Sequence, residues 1–276
     1  MRLVTYENGH GPRVGRLMNG LIIDLDCTDM TLFLSRPDWR ERVAAATAAG
    51  VPVEAVRLLA PVPRPPKWIG IGLNYSDHAA ESGLPVPKEP VLFSKYATSV
   101  TGPFDPIPHP GDDVTVQMDW EVELGVVMGR TCRRVTADEA LGHVAGYTVI
   151  NDVSARDLQM RDGQWLKGKG LDGFAPMGPC IVTTDELPDP QNLRLTMHVN
   201  DRQVQDGNTA RMVFTVAQIV SFLSRLMTLE PGDVIATGTP PGVGMGMKPQ
   251  VWLKRGDVCR AEVEGIGVIQ NRVVES

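Results

Sequence analysis

The chain has 276 residues, 42% of them hydrophobic and 22% charged, with a formal net charge of −6 at pH 7. That balance argues against nucleic acid or an anionic membrane surface as a general partner, while leaving room for a local cationic pocket. Twenty-eight Gly and 22 Pro imply many turns and a β-rich fold rather than a helix bundle. The four cysteines, Cys27, Cys132, Cys180 and Cys259, form no C-x-x-C pair, which excludes the usual zinc and redox motifs and gives no disulfide framework. With no signal-like opening and no apolar run of about 18 residues, the chain reads as a cytoplasmic protein with reduced thiols.

Residues 1–65 read as a small α+β unit. Leu3 to Tyr6, Val14 to Met18 and Leu21 to Leu25 are short apolar stretches between Gly-rich turns, as in a β-meander, and Leu32 to Leu34 and Trp39 to Ala48 are helical in pattern. Ala-Pro-Val-Pro-Arg-Pro-Pro, residues 60–66, is a stiff linker, so a second domain spans residues 66–276. Strands are expected there at 68–72, 91–94, 120–128, 145–151, 180–183, 193–199, 234–236, 251–253, 259–263 and 267–273. Asn200-Asp201 makes a hairpin turn. Phe214 to Met227 is the clearest helix, and its apolar stripe suits core packing.

The most informative run is Trp-Glu-Val-Glu-Leu-Gly-Val-Val-Met-Gly, residues 120–129. On a strand Glu121 and Glu123 share one face, and burying two like charges among apolar residues is costly unless a cation joins them. Asp152 ends a second apolar run, Tyr-Thr-Val-Ile-Asn-Asp, and completes an all-oxygen set that suits Mg²⁺, Mn²⁺ or Ca²⁺ rather than Zn²⁺. E-x-E alone is more often the solvated face of an edge strand; the apolar surroundings tip the balance toward a metal site.

His78 and Glu81 are three apart on an expected helical turn at 76–82, where a carboxylate orienting an imidazole makes a general-base pair. Lys169, with Gly on both sides in a Gly- and Pro-rich loop, could approach a charged centre and stabilise an enolate, and Lys167 competes for that role. Arg156 and Gln159 follow Asp152 by four and seven residues, as on one helical face, and could hold a substrate carboxylate. Thr-Gly-Thr-Pro-Pro-Gly-Val-Gly-Met-Gly, residues 237–246, lacks the G-K-[ST] of a phosphate loop. A turn whose backbone N–H groups and Thr239 hydroxyl bind a carboxylate fits it better.

Seven stretches in order carry a family resemblance: Gly-Leu-Asn-Tyr-Ser-Asp-His with Glu81, Pro-Val-Leu-Phe-Ser-Lys, Asp-Trp-Glu-Val-Glu-Leu-Gly, Asn-Asp-Val-Ser-Ala-Arg-Asp, Gly-Lys-Gly-Leu-Asp, Phe-Ala-Pro-Met-Gly-Pro and Thr-Gly-Thr-Pro-Pro-Gly-Val-Gly. Together they resemble fumarylacetoacetate hydrolase and its relatives. The resemblance implies an α+β, predominantly β fold, a mixed β-roll with barrel-like sheets behind a small N-terminal α+β domain, and a homodimer. It also implies a Mg²⁺ or Mn²⁺ site on Glu121, Glu123 and Asp152, the catalytic residues His78, Glu81 and Lys169, and substrate contacts at Arg156, Gln159 and Thr239. The implied reaction is metal-dependent cleavage of a carbon–carbon bond in a small anionic 2,4-dioxo acid, such as an acylpyruvate, fumarylpyruvate or a diketo-deoxy sugar acid. Oxaloacetate decarboxylation or isomerisation of a hydroxymuconate-like dienoate are the alternatives on the same site. One departure is Gly173, where many relatives carry Thr.

Overall fold

The computed structural model describes residues 1–81 and 85–276, and of residues 78–80 the backbone alone. The opening meander forms as strands Arg2–Glu7, Pro12–Met18 and Leu21–Asp24, the last two joined through Asn19 and Gly20, both at positive φ. Helices Met30–Leu34 and Trp39–Ala45 follow. Asp29 caps the first by accepting the Leu32 N–H at 2.8 Å.

The first 65 residues and the rest share one sheet. Arg2–Glu7 pairs antiparallel with Ala175–Thr183, placing Arg2 opposite Val182. Beyond it come Val144–Asn151, Val122–Met128, Val234–Ala236, Trp68–Gly72 and Val91–Ser94 in spatial order. This twelve-stranded sheet is open, running from an edge at Val51–Pro52 to an edge at Val91–Ser94 rather than closing as a barrel. A five-stranded sheet, in the order Arg202–Asn208, Arg194–Val199, Val258–Val263, Gly267–Glu275 and Ile107–His109, packs against it. Val122, Leu124 and Val149 from the large sheet share a core with Leu195, Met197, Ala261 and Val263 from the small one. Each Val, Leu and Met among them contributes about 1.5–3 kcal/mol by leaving water.

Helix Val216–Leu226 carries a capping box in which Thr215 accepts the Gln218 N–H and Gln218 returns the bond. It buries Val216, Ile219, Val220 and Leu223 of the expected packing stripe, while Leu226, the fifth residue expected there, ends the helix exposed. The hairpin at Asn200 also forms, with that residue at φ 54°.

Three local expectations change. The strand expected at 180–183 begins at Ala175, because Val100–Thr101 pairs in parallel with Ala175 and Pro176 and Ile150 pairs with Met177. No ladder forms at 251–253; Val251 and Leu253 instead donate singly to the carbonyls of Gly244 and Met118. Lys169 ends a short helix, Leu166–Lys169, rather than lying in irregular loop.

Candidate active site

Strand register assembles the carboxylates. Val122–Met128 pairs antiparallel with Val144–Asn151, with Val122 opposite Asn151 and Glu123 opposite Ile150. The pairing continues one step further, since the Asp152 N–H donates to the Glu121 carbonyl at 2.9 Å. Asp152 therefore lies across from Glu121 and shares its face, and Glu123 shares it by the two-residue period. Ligand oxygens of all three lie within 4.8 Å of one another, and all three side chains are buried.

Burial and the neighbouring charges of Asp152 and Glu121 push the Glu123 carboxyl well above its ordinary value. Its Oε2 accepts the Gly238 N–H at 2.7 Å. Three converging carboxylates with hard oxygen donors are the donor set a Mg²⁺ or Mn²⁺ ion requires, and an ion there would relieve the repulsion among them. The residues fit the metal.

Cations surround the triad. Lys169 Nζ donates to Glu121 Oε2 at 2.6 Å and to Asp152 Oδ2 at 2.7 Å. Burial pulls this ammonium down, but Asp152 and Glu121 outweigh it and hold it above the usual lysine value. Lys167, the competing candidate, is exposed and paired with Asp162. Arg156 Nε donates to Asp119 at 2.8 Å, one terminal nitrogen to Glu121 at 2.7 Å and the other to Gln159 at 3.0 Å. The helix bearing Arg156 and Gln159 starts only at Arg156, with a two-residue strand, Ser154–Ala155, between it and Asp152. The single helical face expected from Asp152 onward does not exist; register, not helical spacing, brings Arg156 to Glu121.

The 237–246 turn does bind carboxylates, and they are the protein's own. Gly238 donates to Glu123, Gly242 to both oxygens of Glu81 at 3.1 Å, and Gly244 and Met245 to Asp119 at 2.6 and 3.0 Å. The Thr239 hydroxyl donates to the Val122 carbonyl at 2.9 Å and accepts from Gln205 at 2.8 Å. Thr239 thus lines the site while its hydroxyl braces the strand that bears Glu123. Helix Ser76–Glu81 forms as expected and carries both His78 and Glu81. The His78 side chain, and Ser82 of the expected helical turn, lie outside the described residues.

Glu81, Glu121, Glu123, Arg156, Gln159, Lys169 and Thr239 all line one cavity of about 300 Å³. Asp152 sits behind them, fully buried. Gly173 has φ 73°, and a Cβ there would fall 2.3 Å from Pro108 Cδ, so the bend is shaped for glycine.

Two residues of the site carried no role in the sequence reading. Asp119 continues the period-two series 119, 121, 123, a signal that was available. Lys95, fully buried, donates to the carbonyls of Val153, Lys169 and Phe174 at 2.6–2.9 Å and lies 2.7 Å from Asp152 Oδ1. Burial pulls its ammonium down to about 8 against the attraction of Asp152.

The model of the fumarylacetoacetate (FAA) hydrolase C-terminal family matches residues 67–274. The chain belongs to the fumarylacetoacetate hydrolase family. It is 47% identical over 290 aligned residues to oxaloacetate tautomerase FAHD2A, mitochondrial, of Homo sapiens, an alignment covering 99% of this chain and 92% of that protein. Among solved structures it resembles fumarylacetoacetate hydrolase from psychrophilic Exiguobacterium antarcticum, with TM-score 0.86, 41% identity and full coverage of both chains. It also resembles 5-carboxymethyl-2-hydroxymuconate delta-isomerase from Mycobacterium smegmatis, with TM-score 0.84, 36% identity and full coverage of both. Hydrolase, tautomerase and isomerase names thus occur on one fold. Among the described residues no helix is long and apolar enough to cross a membrane.

Proposed function

We propose that this family member is a divalent-metal-dependent hydrolase that cleaves a carbon–carbon bond in a 2,4-dioxo acid. The supporting observation is the convergence of three buried carboxylates with Lys169, Arg156 and Glu81 around one small cavity. Glu121, Glu123 and Asp152 would hold Mg²⁺ or Mn²⁺, which when bound supplies charge neutralisation for the oxo acid and a sink for enolate electrons.

The remaining steps fall to the chain's own groups. Three of the five Arg156 N–H groups are taken by Asp119, Glu121 and Gln159, leaving two for a substrate carboxylate, and the Gln159 amide N–H₂ adds a donor. Two of three Lys169 protons are held by Glu121 and Asp152, leaving one for an enolate oxygen. His78, oriented by Glu81, takes a proton from water, and the water oxygen attacks the C4 carbonyl. The C3–C4 bond breaks, its electron pair goes to the C3 enolate, and protonation there gives a 2-oxo acid beside a carboxylic acid.

The test is loss of the enol absorbance of acetylpyruvate with Mg²⁺, with Mn²⁺ and with EDTA, while pyruvate is quantified. Metal-dependent loss with equimolar pyruvate and acetate is the expected result. Enol loss without pyruvate would overturn hydrolysis.

A second reading, tautomerisation of oxaloacetate, is favoured by the name of the human relative and its 47% identity across nearly the whole chain. It needs the same enolate stabilisation and one proton relay, without attack by water. Ketonisation of enol-oxaloacetate that releases neither CO₂ nor pyruvate would establish it, and release of both would point to decarboxylation.

A further inference from the structure

Strand Trp68–Gly72 presents glycine at two alternate positions on one face, Gly70 and Gly72. Both are covered by aromatic rings. Phe93, opposite Gly70 in the neighbouring strand, lies so close that a Cβ on Gly70 would fall 2.1 Å from its ring. Trp165 covers Gly72, where a Cβ would fall 2.4 Å from the indole. The two ring centroids are 5.7 Å apart at 53°, and Lys169 Nζ stands 4.8 Å over Phe93. The bare backbone therefore lets both rings pack close beside the catalytic cation, Trp165 by its edge, and with Met160 and Met245 they form the apolar wall of the cavity.

Those four side chains carry no charge themselves, and the cation beside them, Lys169 over Phe93, is already held by Glu121 and Asp152. The cations lining the cavity among the described residues are Arg156 and Lys169, and both are already held by carboxylates of the site. Gln250 turns its amide to the Met245 carbonyl at 3.0 Å. A second carboxylate brought to the rings would lose water and find no uncommitted counter-ion among the described residues, whereas a flat apolar group would gain ring and thioether contact.

We propose that Phe93 and Trp165 determine specificity by reading the group carried beyond the 2-oxo acid, selecting an uncharged planar side chain over a second carboxylate. The inference rests on the reading of the site as one for 2-oxo acids. It names acyl- or aryl-substituted oxo acids as the substrate class and makes dicarboxylates such as oxaloacetate poor ligands.

Calorimetry of the Mn²⁺-loaded protein with phenylpyruvate and with 2-oxoglutarate tests it, since neither acid has a C4 carbonyl to be cleaved. Phenylpyruvate should bind about tenfold more tightly, and Trp165→Ala should remove that preference while leaving 2-oxoglutarate within about twofold. Gly72→Ala keeps the indole but forces it off the strand, and should shift the preference in the same direction. Equal or tighter binding of 2-oxoglutarate by the wild type overturns the proposal, as does equal weakening of both acids in both variants. If acetylpyruvate is cleaved but no tail preference exists, only this inference fails. If neither acid binds and acetylpyruvate is untouched, the 2-oxo-acid reading fails and takes this inference with it.

Discussion

Asp119 holds Arg156 at 2.8 Å with both side chains almost entirely out of water. The same carboxylate accepts the N–H groups of Trp120, Gly244 and Met245, so one buried aspartate ties Arg156 to the turn that holds Glu81. Asp119→Ala should destabilise the fold by about 3–5 kcal/mol, because it leaves a buried guanidinium and three N–H groups without their acceptor. Asp119→Asn should fold better yet bind substrate more weakly, with KM rising more than kcat falls. Denaturant titration and steady-state kinetics of both variants check this; unchanged KM in the Asn variant would remove Asp119 from substrate positioning.

Metal uptake should release a proton. Glu123 holds its proton above the ordinary carboxylate value of 4.5. A cation displaces that proton, so affinity should rise with pH through the folded-state value, by at most about tenfold per pH unit for one proton. Calorimetry with Mn²⁺ in two buffers of different ionisation enthalpy measures the release. Glu123→Gln should abolish the release and weaken binding outright.

The same shift has a stability consequence in EDTA. The folded state binds more protons than the unfolded state between pH 4.5 and the raised value, so stability should fall as pH climbs through that window. Relative to Glu123→Gln, the wild type should lose melting temperature over this range. A parallel pair of melting curves against pH would show that Glu123 is not the group responsible.

Lys95 should matter for folding. Lys95→Met leaves Asp152 and three carbonyls facing an apolar side chain, a loss of about 3–5 kcal/mol. A chemical denaturation midpoint close to that of the wild type would contradict the buried geometry.

The two lysines of Leu166–Lys169 should separate cleanly. Lys169→Met should depress kcat by about 10²–10³-fold, as for a lost oxyanion donor, while exposed Lys167→Met should leave stability within about 0.5 kcal/mol. His78→Ala should cost about 10²–10⁴-fold in kcat with Mn²⁺ affinity intact, as for a lost general base. Retained activity in that variant would move water activation elsewhere.

Local sequence by itself indicated most of the strands, the packing helix and the three carboxylates that converge. Glu121, Glu123 and Asp152 were legible because two like charges in an apolar run are unstable without a partner, and the strand period alone places the first two on one face. The same local logic misjudged Lys169, where Gly on both sides suggested loop but a single helical turn formed, and read Arg156 as an extension of a helix from Asp152. Only tertiary structure decided the partners. Lys95 is distant in sequence from Val153, Lys169 and Phe174, and its three acceptors are backbone carbonyls that leave no trace in composition or spacing. Asp119 was visible in the period of 119, 121 and 123, yet two of its three N–H donors come from a turn more than a hundred residues later. That turn was expected to receive a carboxylate, and whether the carboxylate was substrate or protein depended on how strands separated along the chain came together. The apolar wall had the same origin, since nothing local to the strand at 68–72 says that Phe93 and Trp165 will pack against Gly70 and Gly72.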